Sequence, residues 1–315
     1  MHWYPAEVDA KNRPGWFYHA SQSPASVAEV VKYYEQSTGR NSQYLLNVPP
    51  SDTGKLADAD AAGLKGLGEE LARRYGTDLA LGKSATVAAS ANGTAVAAPK
   101  LTDGSKLSSD KAVGNTPTYT IDLGSAVAVD AVKISEDVRN AGQQIESATL
   151  QGRVNGTWTN LATMTTVGQQ RDLRFTSQNI DAIRLVVNSS RGPVRLSRLE
   201  VFHTESEIQT GARAYYIDPT AQTAGDGFTK DKPMTSIEQL HDVTVAPGSV
   251  IFVKAGTELT GDFAVFGYGT KDEPITVTTY GKSDKATTAS FDGMTAGLTL
   301  KQALKALGKD AFCGF

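Results

Sequence analysis

Between residues 78 and 204 the chain breaks into short segments in which every second residue is apolar, and that period admits few folds. Tyr119-Thr120-Ile121-Asp122-Leu123, Val132-Lys133-Ile134 and Ile183-Arg184-Leu185-Val186-Val187 are the clearest. A period of two sends alternate side chains to opposite faces of a strand, giving each segment one face for a core and one for water. Asn92-Gly93 and Asn155-Gly156 separate segments with dipeptides suited to tight turns. No helical stripe of useful length interrupts them. Short strands at this density predict an antiparallel β-sandwich over 78–204.

Residues 1–77 follow a different rhythm. Ser23-Pro24 is a cap followed by a first-turn proline, and Val27, Val30, Val31 and Tyr34 continue at helical spacing until Gly39. Tyr44-Leu45-Leu46-Asn47-Val48, closed by Pro49-Pro50, reads as a buried strand. Asp58 and Asp60 offer N-caps for a second helix with Leu64, Leu67, Leu71 and Tyr75 on one stripe and Gly76 as its stop. One such α/β unit cannot close a sheet or cover both its faces, so it is expected to be the end of something larger, with exposed apolar surface.

The first nineteen residues carry most of the chemistry. Trp3, Tyr4, Glu7 and Asp9 are followed, after a short basic bridge, by Arg13, Trp16, Phe17, Tyr18 and His19, with no evident helical or strand period. Apolar rings beside carboxylates and an imidazole suit a sugar, whose ring faces stack while its hydroxyls accept and donate hydrogen bonds. The same mixture also fits an irregular loop whose aromatics plug the end of a core. Arg13 is expected as a solvated structural charge rather than a substrate clamp, with a contact to a sugar hydroxyl as the alternative.

A third region begins near residue 213. Tyr215-Tyr216-Ile217-Asp218-Pro219 opens it, and Pro233 to Leu240 fits a short capped helix. The runs starting at Pro247 and Pro274 recur at about the period of one solenoid coil. Two rungs over 213–281 are fewer than a solenoid needs to bury a core. Residues 282–315 show no continuing rung, only a marginal helix over Leu298–Leu307.

Composition removes several classes of function. A formal net charge of −3, with 31 Lys and Arg against 34 Asp and Glu, gives no basic domain for nucleic acid. No run of apolar residues is long enough for a transmembrane helix. Met1-His2-Trp3 does not open a signal peptide. The single cysteine, Cys313, cannot form an intrachain disulfide, and the four histidines are scattered rather than set at metal spacing. Neither a phosphate-binding glycine loop nor a serine nucleophile elbow is present.

The stretch Trp3 to His19, followed by Gly39-Arg40-Asn41 and by Leu45-Leu46-Asn47-Val48-Pro49-Pro50, resembles the C-terminal portion of the catalytic barrel in glycoside hydrolase family 29, the α-L-fucosidases. The spacing of these blocks resembles the branch acting on α-1,3- and α-1,4-linked fucose. Downstream, Ile121-Asp122-Leu123-Gly124, Gly142-Gln143-Gln144-Ile145, Trp158, Thr165-Thr166-Val167-Gly168 and Ser197-Arg198-Leu199-Glu200-Val201-Phe202 keep the order of landmarks in the galactose-binding-like, discoidin-type (F5/8 type C) jelly-roll sandwich. The third region resembles the opening of a right-handed parallel β-helix.

The resemblance implies a multidomain chain: the end of a (β/α) barrel, an antiparallel sandwich and the start of a β-helix. It implies a secreted, retaining α-L-fucosidase acting on fucosylated glycans, in which one carboxyl attacks the anomeric carbon and another serves as acid and then base. The family's nucleophile and acid/base lie upstream of the block matched here, so the 315 residues are expected to be inactive alone. Glu7, Asp9, Trp16 and His19 are then expected to line the fucose pocket. Glu7 is the best polar contact and a less favoured acid/base, and Trp16 is a stacking wall. The equal alternative for Asp9 and His19 is a hydrogen-bonded pair that braces the loop.

The discoidin likeness further implies a structural calcium at Asp103, in Leu101-Thr102-Asp103-Gly104-Ser105, with Glu200 as a second ligand; a turn aspartate and a surface glutamate are the plainer reading. No cofactor is expected for catalysis. Sequons at Asn92, Asn155 and Asn188 fit turn chemistry as well as glycosylation. The alternative function is a non-catalytic carbohydrate-binding module on the sandwich, and a weaker one is chemistry on the β-helix.

Overall fold

The computed structural model describes residues 4–204, 207–208, 212–241, 243–263, 265–267, 273–291 and 297–306. Trp3, Leu307 and Cys313 lie outside them. The chain divides into two compact units. One comprises Met1–Ala10, Tyr33–Leu46 and Glu69–Glu205, and the other Lys11–Lys32, Asn47–Gly68 and Ser206–Phe315. The stretch 1–77, expected as a domain of its own, thus contributes to both.

That stretch alternates strand and helix: β1 (Ala6–Lys11), α1 (Val27–Ser37), β2 (Ser42–Asn47) and α2 (Asp58–Tyr75). No periodicity marks β1, yet it pairs with β2 in a two-stranded sheet. β2 is only half-buried, with Leu45 exposed, because no further strand among the described residues joins that sheet. Helix α2 corrects a second expectation. Its leucine stripe is half-buried, and its fully buried positions are Asp60 and Arg74, each ion-paired. Gly66 lets α2 approach α1, since a Cβ there would lie 2.6 Å from Cγ2 of Val27.

The sandwich region holds β3 (Ser84–Ala88), β4 (Ala95–Ala97), β5 (Thr118–Glu136), β6 (Ile145–Val154), β7 (Thr157–Met164), β8 (Arg171–Ser190) and β9 (Leu196–Phe202). All pairings are antiparallel, in the order β4-β3-β5-β8-β6-β7, with β9 also paired to β5. This architecture is consistent with a galactose-binding-like sandwich. Tyr119, Ile121 and Leu123 point inward and Asp122 outward, as the alternation requires. The Asn155-Gly156 turn joining β6 to β7 has positive φ at both residues, 49° and 78°, the geometry that Asn-Gly favours.

β5 is one strand of 19 residues, not two short ones. Register shifts between Asp122 and Val127 and between Val129 and Ala131 let it change partners, from β3 along its first half to β9 along its second. The second half, Val129–Glu136, is buried on both faces. Val132 and Ile134 join the sandwich core, while Lys133 meets aromatic side chains of α1, α2 and β9.

The third region contains β10 (Glu207–Ile208), β11 (Ala214–Ile217), β12 (Val243–Val245), β13 (Val250–Lys254), β14 (Glu258–Gly261), β15 (Phe266–Gly267), β16 (Thr276–Tyr280), β17 (Thr288–Phe291), β18 (Leu298–Thr299) and α3 (Leu300–Ala306). β10-β12-β15 and β11-β13-β16 are parallel three-stranded sheets, and β14 pairs in parallel with β17. Tyr215, Ile251 and Val277 share one level of the register, so the opening segment stacks as a layer that the recurrence of two runs did not reveal. The pattern also continues beyond Lys282, where the sequence offered no rung, because Ala289 and Phe291 of β17 enter the same core. The expected capped helix is a short 3-10 turn, Ile237–Leu240, with Ser236 accepting the Glu238 N–H at its start.

Candidate functional site

Asn12 and Arg13 follow directly on β1 and are buried, against the expectation of a solvated Arg13. The Arg13 guanidinium grips both oxygens of Asp60: Nη2 donates to Oδ2 at 2.7 Å and Nε lies 3.1 and 3.2 Å from Oδ1 and Oδ2. Asn12 Nδ2 donates to the same carboxylate at 2.8 Å. Arg13 Nη1 donates to the carbonyls of His19 and Gln22. Its guanidinium carbon stands 4.8 Å from the centre of the Tyr18 ring. Two planar forks meeting in a buried site fix direction as well as charge, so this pair braces the loop from residue 13 to 22.

The side chains above that brace face water. Trp16 is 48% exposed and Phe17 78%, while the Trp16 carbonyl accepts from Asn47 Nδ2 at 2.9 Å. Aromatics this open do not plug a core. His19 lies in the same loop with its imidazole exposed, and its carbonyl closes a turn with the Gln22 N–H.

Glu7 and Asp9 stand two residues apart on β1 and therefore leave the same face of the strand. Both are exposed. Neither has the enclosing apolar surroundings that set two carboxyl groups apart as acid and nucleophile. They are suited to hydrogen-bonding sugar hydroxyls.

The implied calcium ligands are already engaged. Asp103 accepts from the Ser105 N–H at 2.7 Å and Ser108 Oγ at 3.2 Å, with Lys100 at 3.7 Å. Glu200 pairs with Arg198 at 2.9 Å. Among the described residues no three His, Cys, Asp or Glu side chains group together. Calcium needs six to eight oxygens, and two carboxylates each tied to a cation do not fit it.

A polar centre not foreseen from the sequence lies where α1, α2 and the sandwich meet within the first unit. Lys133 is buried and stands 3.7 Å from the Tyr75 ring centre, with Tyr34 and Phe202 at 5.4 and 5.8 Å. Asp172 is near it, and burial raises its carboxyl to about 6 although the Lys133 charge opposes this. Glu35 takes the Tyr75 hydroxyl at 2.8 Å and the guanidinium groups of Arg74 and Arg174 at 3.3 and 3.4 Å. Burial and the Glu35 charge push the Tyr75 hydroxyl up, keeping it a neutral donor. The Val132-Lys133-Ile134 alternation assigns Lys133 to solvent, and only the long-range arrival of Tyr34 and Tyr75 encloses it.

The same unit carries a cavity of about 570 Å³ between the end of β5, the segments before β8 and β9, and Tyr4. Its residues come from distant stretches of sequence, which is why no local pattern marks it. Glu136 forms part of the wall, with its carboxylate accepting the N–H groups of Gln144, Ile145 and Gly168 at 2.8, 3.0 and 2.7 Å. Burial raises the Glu136 carboxyl despite those three bonds.

Comparison with known proteins agrees with this architecture. Residues 99–209 match the family model described as a NedA-like, galactose-binding domain. Alpha-L-fucosidase 1 of Arabidopsis thaliana is 32% identical over 208 residues, 64% of this chain and 41% of that protein. The crystal structure of SpGH29 is similar with a TM-score of 0.55 and 34% identity, covering 63% of this chain and 44% of its own. A Ruminococcus gnavus GH29 fucosidase in complex with fucose gives a TM-score of 0.56 at 27% identity, covering 64% of this chain and 41% of its own. The chain thus spans about two fifths of the length of these relatives.

Proposed function

We propose that this chain is part of a GH29-type α-L-fucosidase, in which residues 1–77 form the last strand and helix units of the catalytic barrel and the loop from residue 13 to 22 forms one wall of the fucose pocket. The observation that carries this reading is the exposed Trp16 loop held from beneath by the buried Arg13–Asp60 pair. A sugar-facing aromatic needs such a rigid mount, because binding otherwise loses free energy to ordering the side chain. On that loop Trp16 supplies a stacking wall and His19 a polar contact, and Glu7 and Asp9 on β1 offer carboxylates suited to sugar hydroxyls. The parallel layers after residue 213 are the start of a β-helix, and the parent protein works outside the cell on α-1,3- or α-1,4-linked fucose.

Retaining cleavage needs two carboxyl groups about 5 Å apart, one buried enough to hold a proton. Glu7 and Asp9 are too open for that pair of roles, so the 315 residues bind the sugar without cleaving it. Incubation with an aryl α-L-fucoside tests this: no release of the aryl alcohol above the buffer rate is expected, and steady release would overturn it.

A second reading, a non-catalytic carbohydrate-binding module, is favoured by the cavity on the sandwich. Retention of glycans by the chain after Trp16→Ala would place binding there rather than on the loop.

A further inference from the structure

The cavity on the sandwich has an uneven supply of unused hydrogen-bonding groups. Its acids are committed within the fold. Glu136 is held by three backbone N–H groups, and Asp137 accepts from Ser109 Oγ at 2.6 Å and from Asn140 Nδ2 at 3.0 Å. Arg198 is committed too, donating to Ser135 Oγ at 2.8 Å and Gln170 Oε1 at 2.7 Å while pairing with Glu200.

Three charged or amide side chains of the wall remain, Lys106, Arg139 and Gln169, and among the described residues none of the three makes a hydrogen bond or an ion pair through its side chain. Lys106 and Arg139 carry donors only and Gln169 adds a neutral amide, so the charged part of the cavity's free capacity is that of two cations. The neighbouring Arg198 charge, with partial burial, pushes the Lys106 ammonium down, as expected where positive charge is not fully compensated. The rim adds two apolar surfaces with little cover: Tyr4, 83% exposed, and Leu107, 65% exposed. Cations beside an open aromatic ring match a ligand with an acid group on a ring that has an apolar face.

We infer that this cavity binds an anionic monosaccharide unit, with its carboxylate or sulfate held by Lys106 and Arg139 and its ring laid against Tyr4 and Leu107. A volume of about 570 Å³ lies in the range of small-ligand sites. The inference does not rest on the fucoside reading, since fucose is neutral and Trp16 is not on this wall.

The test is ligand-observed NMR on the whole chain with three probes: methyl β-D-glucuronide, methyl β-D-galactoside 6-sulfate and neutral methyl β-D-glucoside. At least one anionic glycoside should bind about tenfold more tightly than the neutral one, weaken as salt rises, and lose about tenfold in affinity in the Lys106→Gln/Arg139→Gln double variant. Both side chains are exposed, so an unchanged thermal transition will separate lost binding from lost folding. Whichever acid binds identifies the group, and either supports the inference. Equal binding of the neutral glucoside, binding of no glycoside, or undiminished binding by the double variant would overturn it. Inorganic sulfate that displaces the sulfated glycoside at equal concentration would overturn the role of the sugar ring.

Discussion

The Arg13 guanidinium meets the Asp60 carboxylate across 47 residues of sequence, with both partners buried and the closest approach at 2.7 Å. Arg13 holds the aromatic loop and Asp60 lies in the first turn of α2, so the exposed aromatic side chains are mounted on a helix. Removing one partner leaves an uncompensated buried charge. Asp60→Ala should cost about 3–5 kcal/mol in urea unfolding, while Arg13→Met/Asp60→Leu should recover most of that loss. Equal destabilisation by the single and double changes would mean that the pair is not coupled.

The raised carboxyl of Asp172 makes stability depend on pH in a defined direction. Its value in the folded chain is about 6 against the ordinary 3.8, so between these pH values the unfolded chain has released a proton that the folded chain still holds. Stability from this group is therefore present at about pH 4 and is lost as pH rises through 6. Lys133 on β5, Arg198 on β9, Gln170 beside β8 and Glu35 on α1 all act on it. Asp172→Asn should leave stability near pH 4 unchanged and raise it at pH 7 by up to about 3 kcal/mol. A variant whose pH profile parallels that of the parent would contradict this.

Gly168 occupies a place that no side chain fits. Its φ is +66°, and a Cβ would fall 2.2 Å from Oδ1 of Asn41. Its N–H also anchors Glu136 in the cavity wall. Gly168→Ala should cost about 2–4 kcal/mol, the range of combined steric and backbone strain. Adding Asn41→Gly should restore part of the loss, because it clears the obstruction and residue 41 itself has φ of +67°. Failure of the second change to help would place the strain in the backbone alone.

Helix α3 closes the core of the parallel layers with Leu300, Ala303 and Leu304. Leu304→Ala should destabilise the second unit by about 2–4 kcal/mol and raise binding of a hydrophobic dye. An unchanged unfolding transition would show that the helix does not cover that core.

The sandwich was the most legible part of the sequence because its information is local: Ile121-Asp122-Leu123 alternates, and the structure buries Ile121 and Leu123 while exposing Asp122. The bulges in β5 interrupt its period, so its sequence shows separate short pieces. β1 carries no such signal, because all but one of its residues are exposed and burial imposes no alternation on it. Glu7, Asp9, Trp16 and His19 were legible as residue types suited to a sugar. The brace beneath two of them was not, since Asp60 resembles a helix cap until Arg13 arrives from elsewhere in the chain. Lys106 and Arg139 carry no signal at all alone, and their meaning comes from the commitment of Glu136, Asp137 and Arg198 to other groups.

One real-time proton NMR experiment tests both halves of the proposal that the Trp16 loop engages fucose without cleaving it. With p-nitrophenyl α-L-fucoside and the whole chain in one tube, magnetisation should pass from protein to the fucosyl protons, fall sharply in Trp16→Ala, and be accompanied by no free fucose. Free fucose accumulating with time, or transfer that is absent or indifferent to Trp16, would overturn that proposal.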